Sequence, residues 1–236
     1  MKIIVNNLTR MERGYICVAG VDAETAKQVR PILAGRLNTS FLMRNGGPFD
    51  MACLVDLGPT TYAGHPPEVE DHNFDPRKVS RLELVPSDRF WKLLRQLAKF
   101  RLSEVFGPEL SGRGASSCGV DIGFGSASLG CLIPSRVPSL YLRPRPDREP
   151  QIRMHLTDGY FDLDLSVTDI RLYGDDHVTP NENLVPQVDK RLKSDTGVIL
   201  SVGLTRPFSP SQDLPPIHWL QVNNLHLQDE PAWQLG

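Results

Sequence analysis

The residues best suited to chemistry in this sequence are arginines near its start. A guanidinium group can donate two parallel hydrogen bonds to one phosphate, so several arginines on one surface favour nucleic-acid binding. The arginines that we predict to contact nucleic acid are Arg10, Arg13, Arg30, Arg36 and Arg44. The structural alternative for Arg30, which precedes Pro31 in a predicted strand, is a buried side chain bonded to carbonyl oxygens.

Aromatic residues accompany these arginines. Proteins hold single-stranded nucleic acid by stacking its bases on flat side chains, and we predict that Tyr15 and Phe41 have this role. The alternative is that the rings fill the core and the arginines are solvated. The predicted partner is therefore RNA or single-stranded DNA, bound with modest affinity and strong dependence on salt.

Two acidic groups offer a different chemistry. Asp162 and Asp164 alternate with apolar residues and project side by side, as carboxylates that clamp Mg²⁺ in nucleases do. A solvated edge strand gives the same pattern. The loop from His65 to His72 carries two histidines and three carboxylates, but in no recognised ligand spacing. We therefore predict no metal site and no cofactor, and keep a metal-dependent nuclease as the last alternative.

Charge is divided unevenly along the chain. Residues 1–153 carry 21 basic and 16 acidic side chains, whereas residues 154–236 carry 5 and 12, which together give the net charge of −2. Only residues 1–153 have the surplus of positive charge that would attract phosphate groups. The acidic C-terminal half suggests an alternative function, a protein-interaction adaptor that grips a basic partner while its sheet edges pair with the partner's strands.

Length and composition limit the remaining possibilities. The chain has 236 residues, enough for one large or two small domains, and no run of about 18 apolar residues that would cross a membrane. Its four cysteines show no zinc-binding spacing, and no export signal is visible. We expect a cytoplasmic protein with reduced thiols; the oligomeric state is left open. No catalytic signature is present, so an enzyme is not the favoured interpretation, and a partner enzyme on another chain is expected.

The elements that must position these residues are mostly short strands. Strict alternation in FDLDLSVTD is typical of a half-buried antiparallel strand. One amphipathic helix is predicted over 87–107, with Phe90, Leu93, Leu94, Leu97 and Phe100 on its apolar stripe. The remaining strands form two groups of about five, the number found in the OB-fold, a small Greek-key barrel.

The chain resembles the dual OB-fold family of bacterial proteins. The matching stretches are GYICVAGVDAETAKQVRPI, PPEVEDH, YFDLDLSVTDI, LSVGLTRPF and WLQVNNLHL. The resemblance implies an all-β protein with two OB-like barrels, here joined by one amphipathic helix. It also implies nucleic-acid binding by analogy, and it brings no catalytic residues. We predict a first barrel over 1–106, a linker over 107–117 and a second barrel over 118–236. The expected function is a non-catalytic nucleic-acid-binding module.

Overall fold

The chain folds into a mostly β structure. The computed structural model describes residues 1–194, 196–210 and 215–233, without the side chain of Arg13. Two of its sheets curl into half-barrels, which confirms the β-rich class and leaves the OB-fold itself a prediction. Among the described residues, no helix is both long and apolar enough to span a membrane. All four cysteines are free thiols.

The first part of the chain forms an eight-stranded sheet. Its order is β6-β7-β3-β2-β1-β5-β8, with β4 paired to β2 outside this path. Strands β3 and β7 are parallel, and the other pairs are antiparallel. The strands are β1 (Lys2–Arg10), β2 (Tyr15–Asp22), β3 (Gln28–Ile32), β4 (Leu37–Asn38), β5 (Cys53–Asp56), β6 (Thr60–Tyr62), β7 (Asp71–Phe74) and β8 (Ser80–Leu84).

The second part contributes eight further strands in two sheets. The five-stranded sheet has the order β11-β15-β16-β10-β9, and the three-stranded sheet has the order β12-β13-β14. The prediction of about five strands in each group is therefore lower than the eight that are described in each, because strands of two to four residues, such as β4, β6 and β7, are too short to show alternation in a sequence. These strands are β9 (Ser111–Gly112), β10 (Cys118–Val120), β11 (Leu129–Leu132), β12 (Ser139–Arg145), β13 (Arg148–Thr157), β14 (Asp162–Ser166), β15 (Val198–Leu204) and β16 (His218–Leu227).

The predicted single helix over 87–107 is wrong in extent. The structure has α1 (Ser87–Leu97) and α2 (Leu102–Phe106), separated by an extended segment, and a further helix, α3 (Leu184–Leu192), that we did not predict. The buried face of α1 carries Phe90 and Leu94, as its apolar stripe predicts. The stripe continues in the sequence to Phe100, but the helix does not.

Two hydrophobic clusters form the core. One gathers the apolar residues of β1–β5 and α1, and it also includes Cys131, Ile170 and Ile199 from later in the chain. The other gathers the apolar residues of α2, α3 and most of β10–β16. Each cluster therefore contains residues from both sides of the predicted linker at 107–117. The domain limits of 1–106 and 118–236 stay a prediction.

A repeated asparagine pair joins the two parts of the chain. The sequence VNNL occurs at 5–8 in β1 and again at 222–225 in β16. In each copy the strand pairing shifts at the first asparagine, so that Asn6 and Asn223 are the extra residues of two equivalent β-bulges. The side chains meet in the core, where Asn223 Nδ2 donates to Asn7 Oδ1 at 3.1 Å. This short repeat was not among the features predicted from the sequence.

Candidate nucleic-acid interface

The predicted arginine nearest to the core is already paired. Arg30 in β3 is 5% exposed, and its Nε donates to Asp71 Oδ1 at 2.5 Å. Arg206, from the loop after β15, donates to the other oxygen of Asp71 at 2.7 Å and reaches Glu68 at 2.9 Å. This network of buried carboxylates and guanidinium groups ties the first part of the chain to the second. The burial and pairing of Arg30 fit the structural alternative, although its partner is the carboxylate of Asp71 and not a carbonyl.

Two further arginines face residues of the second part. The Arg44 guanidinium lies 3.2 Å from Asp175 and 2.6 Å from a ring nitrogen of His177. Burial lowers the pKa of His177, and the charge of Arg44 lowers it further. The Arg10 guanidinium lies 4.7 Å from the centre of the Tyr173 ring. The acidic half therefore engages the side chain of Arg44, and an aromatic ring covers that of Arg10.

The remaining predicted residues are spread over other contacts. Arg36 is exposed and lies 5.5 Å from the centre of the Tyr15 ring. Phe41 is partly buried and stacks on Phe49, with ring centres 6.3 Å apart. The side chain of Arg13 lies outside the described residues. The structure thus brings Tyr15 and Arg36 together, but it gives Arg10, Arg30, Arg44 and Phe41 partners within the protein, and their roles in binding stay predictions.

A different surface combines exposed rings with unpaired cations, and it begins where α1 ends. Lys99 leaves the helical path, because its N–H donates to Cys131 and its carbonyl accepts from Ile133, both at 2.9 Å. The segment therefore runs beside β11 and turns its next residue outward. Phe100, predicted to lie on the apolar stripe, is 66% exposed.

Two carboxylates accept hydrogen bonds from backbone N–H groups at the start of helix α2. Glu104 Oε2 accepts from the N–H groups of Phe100 at 3.2 Å and Arg101 at 2.9 Å, and Asp158 Oδ2 accepts from Leu102 N–H at 2.9 Å. These bonds satisfy backbone donors before the first helical turn. The carboxylates of Glu104 and Asp158 are therefore hydrogen-bonded to the protein backbone.

The turn after β13 brings in a second exposed ring. Asp158 Oδ1 accepts from the N–H groups of Tyr160 at 2.9 Å and Phe161 at 2.8 Å. Gly159 has a φ of 86°, which side chains rarely adopt, and a Cβ there would lie 3.2 Å from Arg101 Nη1. The turn therefore packs closely on Arg101, whose Nη1 donates to the Asp158 carbonyl at 3.0 Å. Tyr160 is 79% exposed.

A third segment, following β11, completes this surface. Ser135 N–H donates to the carbonyl of Thr157 at 2.8 Å, which fixes the loop against the same turn. The next two residues, Arg136 and Val137, are exposed. Among the residues that the structure describes, no carboxylate forms an ion pair with Lys99, Arg101 or Arg136. We call this surface the basic–aromatic patch, and its residues are Lys99, Phe100, Arg101, Arg136, Val137 and Tyr160.

This patch was not predicted from the sequence, because the helical spacing of its first ring was misleading. The helical prediction included Phe100, since the residue falls at helical spacing after Leu97. Two short motifs could have indicated the patch. In Lys99-Phe100-Arg101 an aromatic residue stands between two cations, and in Asp158-Gly159-Tyr160 an aromatic residue follows a turn. Nothing in their spacing showed that the fold would bring them together.

The two aspartates considered as a metal site, Asp162 and Asp164, contact basic side chains of the protein. Asp164 is buried, and both Arg143 and Arg153 donate to its carboxylate, while Asp162 lies 2.7 Å from His155. The alternative of a solvated edge strand therefore fits Asp162, which is exposed, but not Asp164, and the strand itself is present as β14. No group of three or more metal-ligating side chains occurs among the described residues. With its charge balanced by two guanidinium groups, Asp164 is poorly suited to bind Mg²⁺.

Comparisons with known proteins add little to this geometry. No family model and no curated protein matches the chain. A solved structure described as a murine DNA-binding protein bound with double-stranded DNA is similar over 100% of this chain and 96% of its own, at 10% identity and a TM-score of 0.30. A similarity at that level supports no conclusion about fold or function, so the candidate interface rests on its own contacts.

Proposed function

We propose that this protein is a non-catalytic module that binds single-stranded RNA or DNA on the basic–aromatic patch. The observation that carries the proposal is the exposure of Phe100 (66%) and Tyr160 (79%) on hydrogen-bonded neighbouring segments that also carry three cations without a carboxylate partner among the described residues. Exposed apolar surface of this kind is typical of interaction sites. Stacking on such rings contributes about 1–3 kcal/mol per base and tolerates any sequence.

The charges of the patch favour a polyanion over a neutral ligand. Lys99 and Arg101 come from one segment and Arg136 from another, and the carboxylates of Glu104 and Asp158 accept hydrogen bonds from backbone N–H groups. Phosphates bound there would release counterions, so affinity falls as salt rises. The dual OB-fold resemblance agrees with this function, and a partner enzyme on another chain would supply any chemistry.

The test is a salt titration with a fluorescent 12-nucleotide single strand, followed by anisotropy. Three phosphate contacts predict a slope of log K against log[salt] of about −2, since each phosphate of a single strand contributes about −0.7. Replacement of Lys99, Arg101 and Arg136 by Ala should bring this slope close to zero. The matched control removes three exposed lysines from other surfaces, Lys2, Lys78 and Lys190. An equal slope in the two triple variants would contradict the proposal.

A second candidate function has one observation in its favour. Strand β8 forms one edge of the eight-stranded sheet, and all five of its residues are exposed, with Leu82 and Leu84 about half accessible. An open edge of this kind can pair with a strand of another protein, as the adaptor alternative requires. Leu82→Lys should abolish such pairing and leave oligonucleotide binding unchanged, which separates the two functions.

A further inference from the structure

A short loop from the second part of the chain, residues 174–179, packs on Arg44. Among the described residues, every hydrogen bond or ion pair between this loop and the first part of the chain involves Arg44. Asp175 is fully exposed, so its ion pair with Arg44 holds the loop only weakly. His177 is buried, and its contact with Arg44 is therefore the one that keeps the loop in place.

This contact requires a neutral imidazole. A guanidinium group donates and cannot accept, so the His177 Nε2 that lies 2.6 Å from Arg44 Nη2 must offer a lone pair. Burial and the charges of Arg44 and Arg10 disfavour the protonated ring. The two carboxylates of the same loop, Asp175 and Asp176, favour it. The net effect holds the pKa of His177 below its ordinary value, so the closed loop binds a proton less readily than an open one.

The backbone of His177 also depends on this contact. Its φ of 54° lies in the left-handed region, which is unfavourable for residues other than glycine. Residues in such conformations persist only where surrounding contacts hold them. Loss of the contact with Arg44 therefore favours departure of the loop.

We propose that the 174–179 loop covers a second phosphate-binding site, formed by Arg10 and Arg44, and that protonation of His177 opens it. The inference rests on the proposed function, because the ligand is the same nucleic-acid strand. The Tyr173 ring lies under the Arg10 guanidinium, and such a contact leaves the N–H groups in the guanidinium plane free to donate. The Arg44 side chain, now 20% exposed, becomes accessible when the loop leaves. Each guanidinium can then donate two parallel hydrogen bonds to a phosphate.

The test repeats the salt titration of the 12-nucleotide strand at pH 7.5 and at pH 5.5. The wild-type slope should become steeper by about 1.4 at the lower pH, since two further phosphates contribute about −0.7 each. Arg44→Ala should halve this increment. His177→Asn should abolish it, because asparagine tolerates the left-handed conformation and does not titrate. His65→Asn, which removes an exposed histidine elsewhere, is the matched control and should keep the full increment.

The two proposals fail in distinguishable ways. Equal wild-type slopes at the two pH values would overturn the covered site and leave the proposed function standing. An increment that persists in full in His177→Asn or Arg44→Ala would overturn it too, since other groups would then bind the additional phosphates. At pH 7.5, an unchanged slope after replacement of Lys99, Arg101 and Arg136 would contradict the patch alone. Absence of binding by the wild type at both pH values would overturn both.

Discussion

The side chain of Asn224 is hydrogen-bonded to both backbone groups of Leu8. Its Oδ1 accepts from the Leu8 N–H at 2.8 Å, and its Nδ2 donates to the Leu8 carbonyl at 3.0 Å. Asn224 is fully buried in β16, and Leu8 is fully buried in β1. One carboxamide therefore acts as a short piece of β-ladder between the two ends of the chain, 216 residues apart.

Asn224→Ala is expected to destabilise the fold. The substitution leaves a buried N–H and a buried C=O without these partners, and each such group costs about 1–3 kcal/mol, so we expect a loss of about 3 kcal/mol in the free energy of unfolding. Urea denaturation followed by circular dichroism measures it. Asn73→Ala, at an exposed position of β7, is the control and should change little. Equal midpoints for the two variants would show that the connection between β1 and β16 does not contribute.

Arg30→Ala separates the structural role of this residue from the binding role predicted for it. Its removal leaves Asp71 buried with Arg206 as its remaining cation, so the unfolding free energy should fall by about 3 kcal/mol. Below the unfolding transition, the salt slope of oligonucleotide binding should match that of the wild type. Arg36→Ala, at an exposed site, should alter stability much less. A reduced slope with unchanged stability would return Arg30 to the binding surface.

Phe100→Ala and Tyr160→Ala are expected to weaken binding without loss of stability. Both rings are mostly exposed, so little packing is lost, whereas each lost stacking contact costs about 1–3 kcal/mol, or about five- to hundredfold in Kd. Anisotropy titrations and thermal melts measure the two quantities on the same samples. Phe208→Ala, which removes another exposed ring, serves for comparison. Tight binding by the Phe100 and Tyr160 variants would remove stacking from the proposed mechanism.

Stability should fall at mildly acidic pH because of His226. Burial, together with the charge of Arg171, lowers the pKa of this histidine from its ordinary 6.5 to about 4. Between these values the unfolded chain binds a proton that the folded chain does not, so stability decreases as pH falls from 6.5 toward 4. The full effect is about 3 kcal/mol.

The pH dependence can be assigned to His226 by a variant. His226→Gln keeps an amide donor and acceptor near Ser201 and Pro231, the two partners of the imidazole, but it cannot titrate. Denaturation at pH 4, 5, 6 and 7 should give a shallower pH dependence for this variant than for the wild type. Parallel curves would assign the acid sensitivity to other groups.

The local pattern of the sequence was sufficient for several elements. Alternation in FDLDLSVTD predicted β14, and helical spacing predicted α1 with Phe90 and Leu94 inward. Such patterns work because burial of one face imposes a period of two on strands and 3.6 on helices. The richness in strands followed from the same signals, together with the many prolines and glycines.

Only the tertiary structure decided where those patterns stop and which side chains remain free. Helical spacing extends to Phe100, but hydrogen bonds between Lys99 and β11 hold the chain in an extended path there and turn the ring into solvent. The sequence left Arg30 as either a phosphate-binding or a buried cation, and only the fold placed Asp71, 41 residues away, against it. A sequence reports the period of burial along one element, whereas the pairing of charges and the ends of helices depend on partners that distant segments supply.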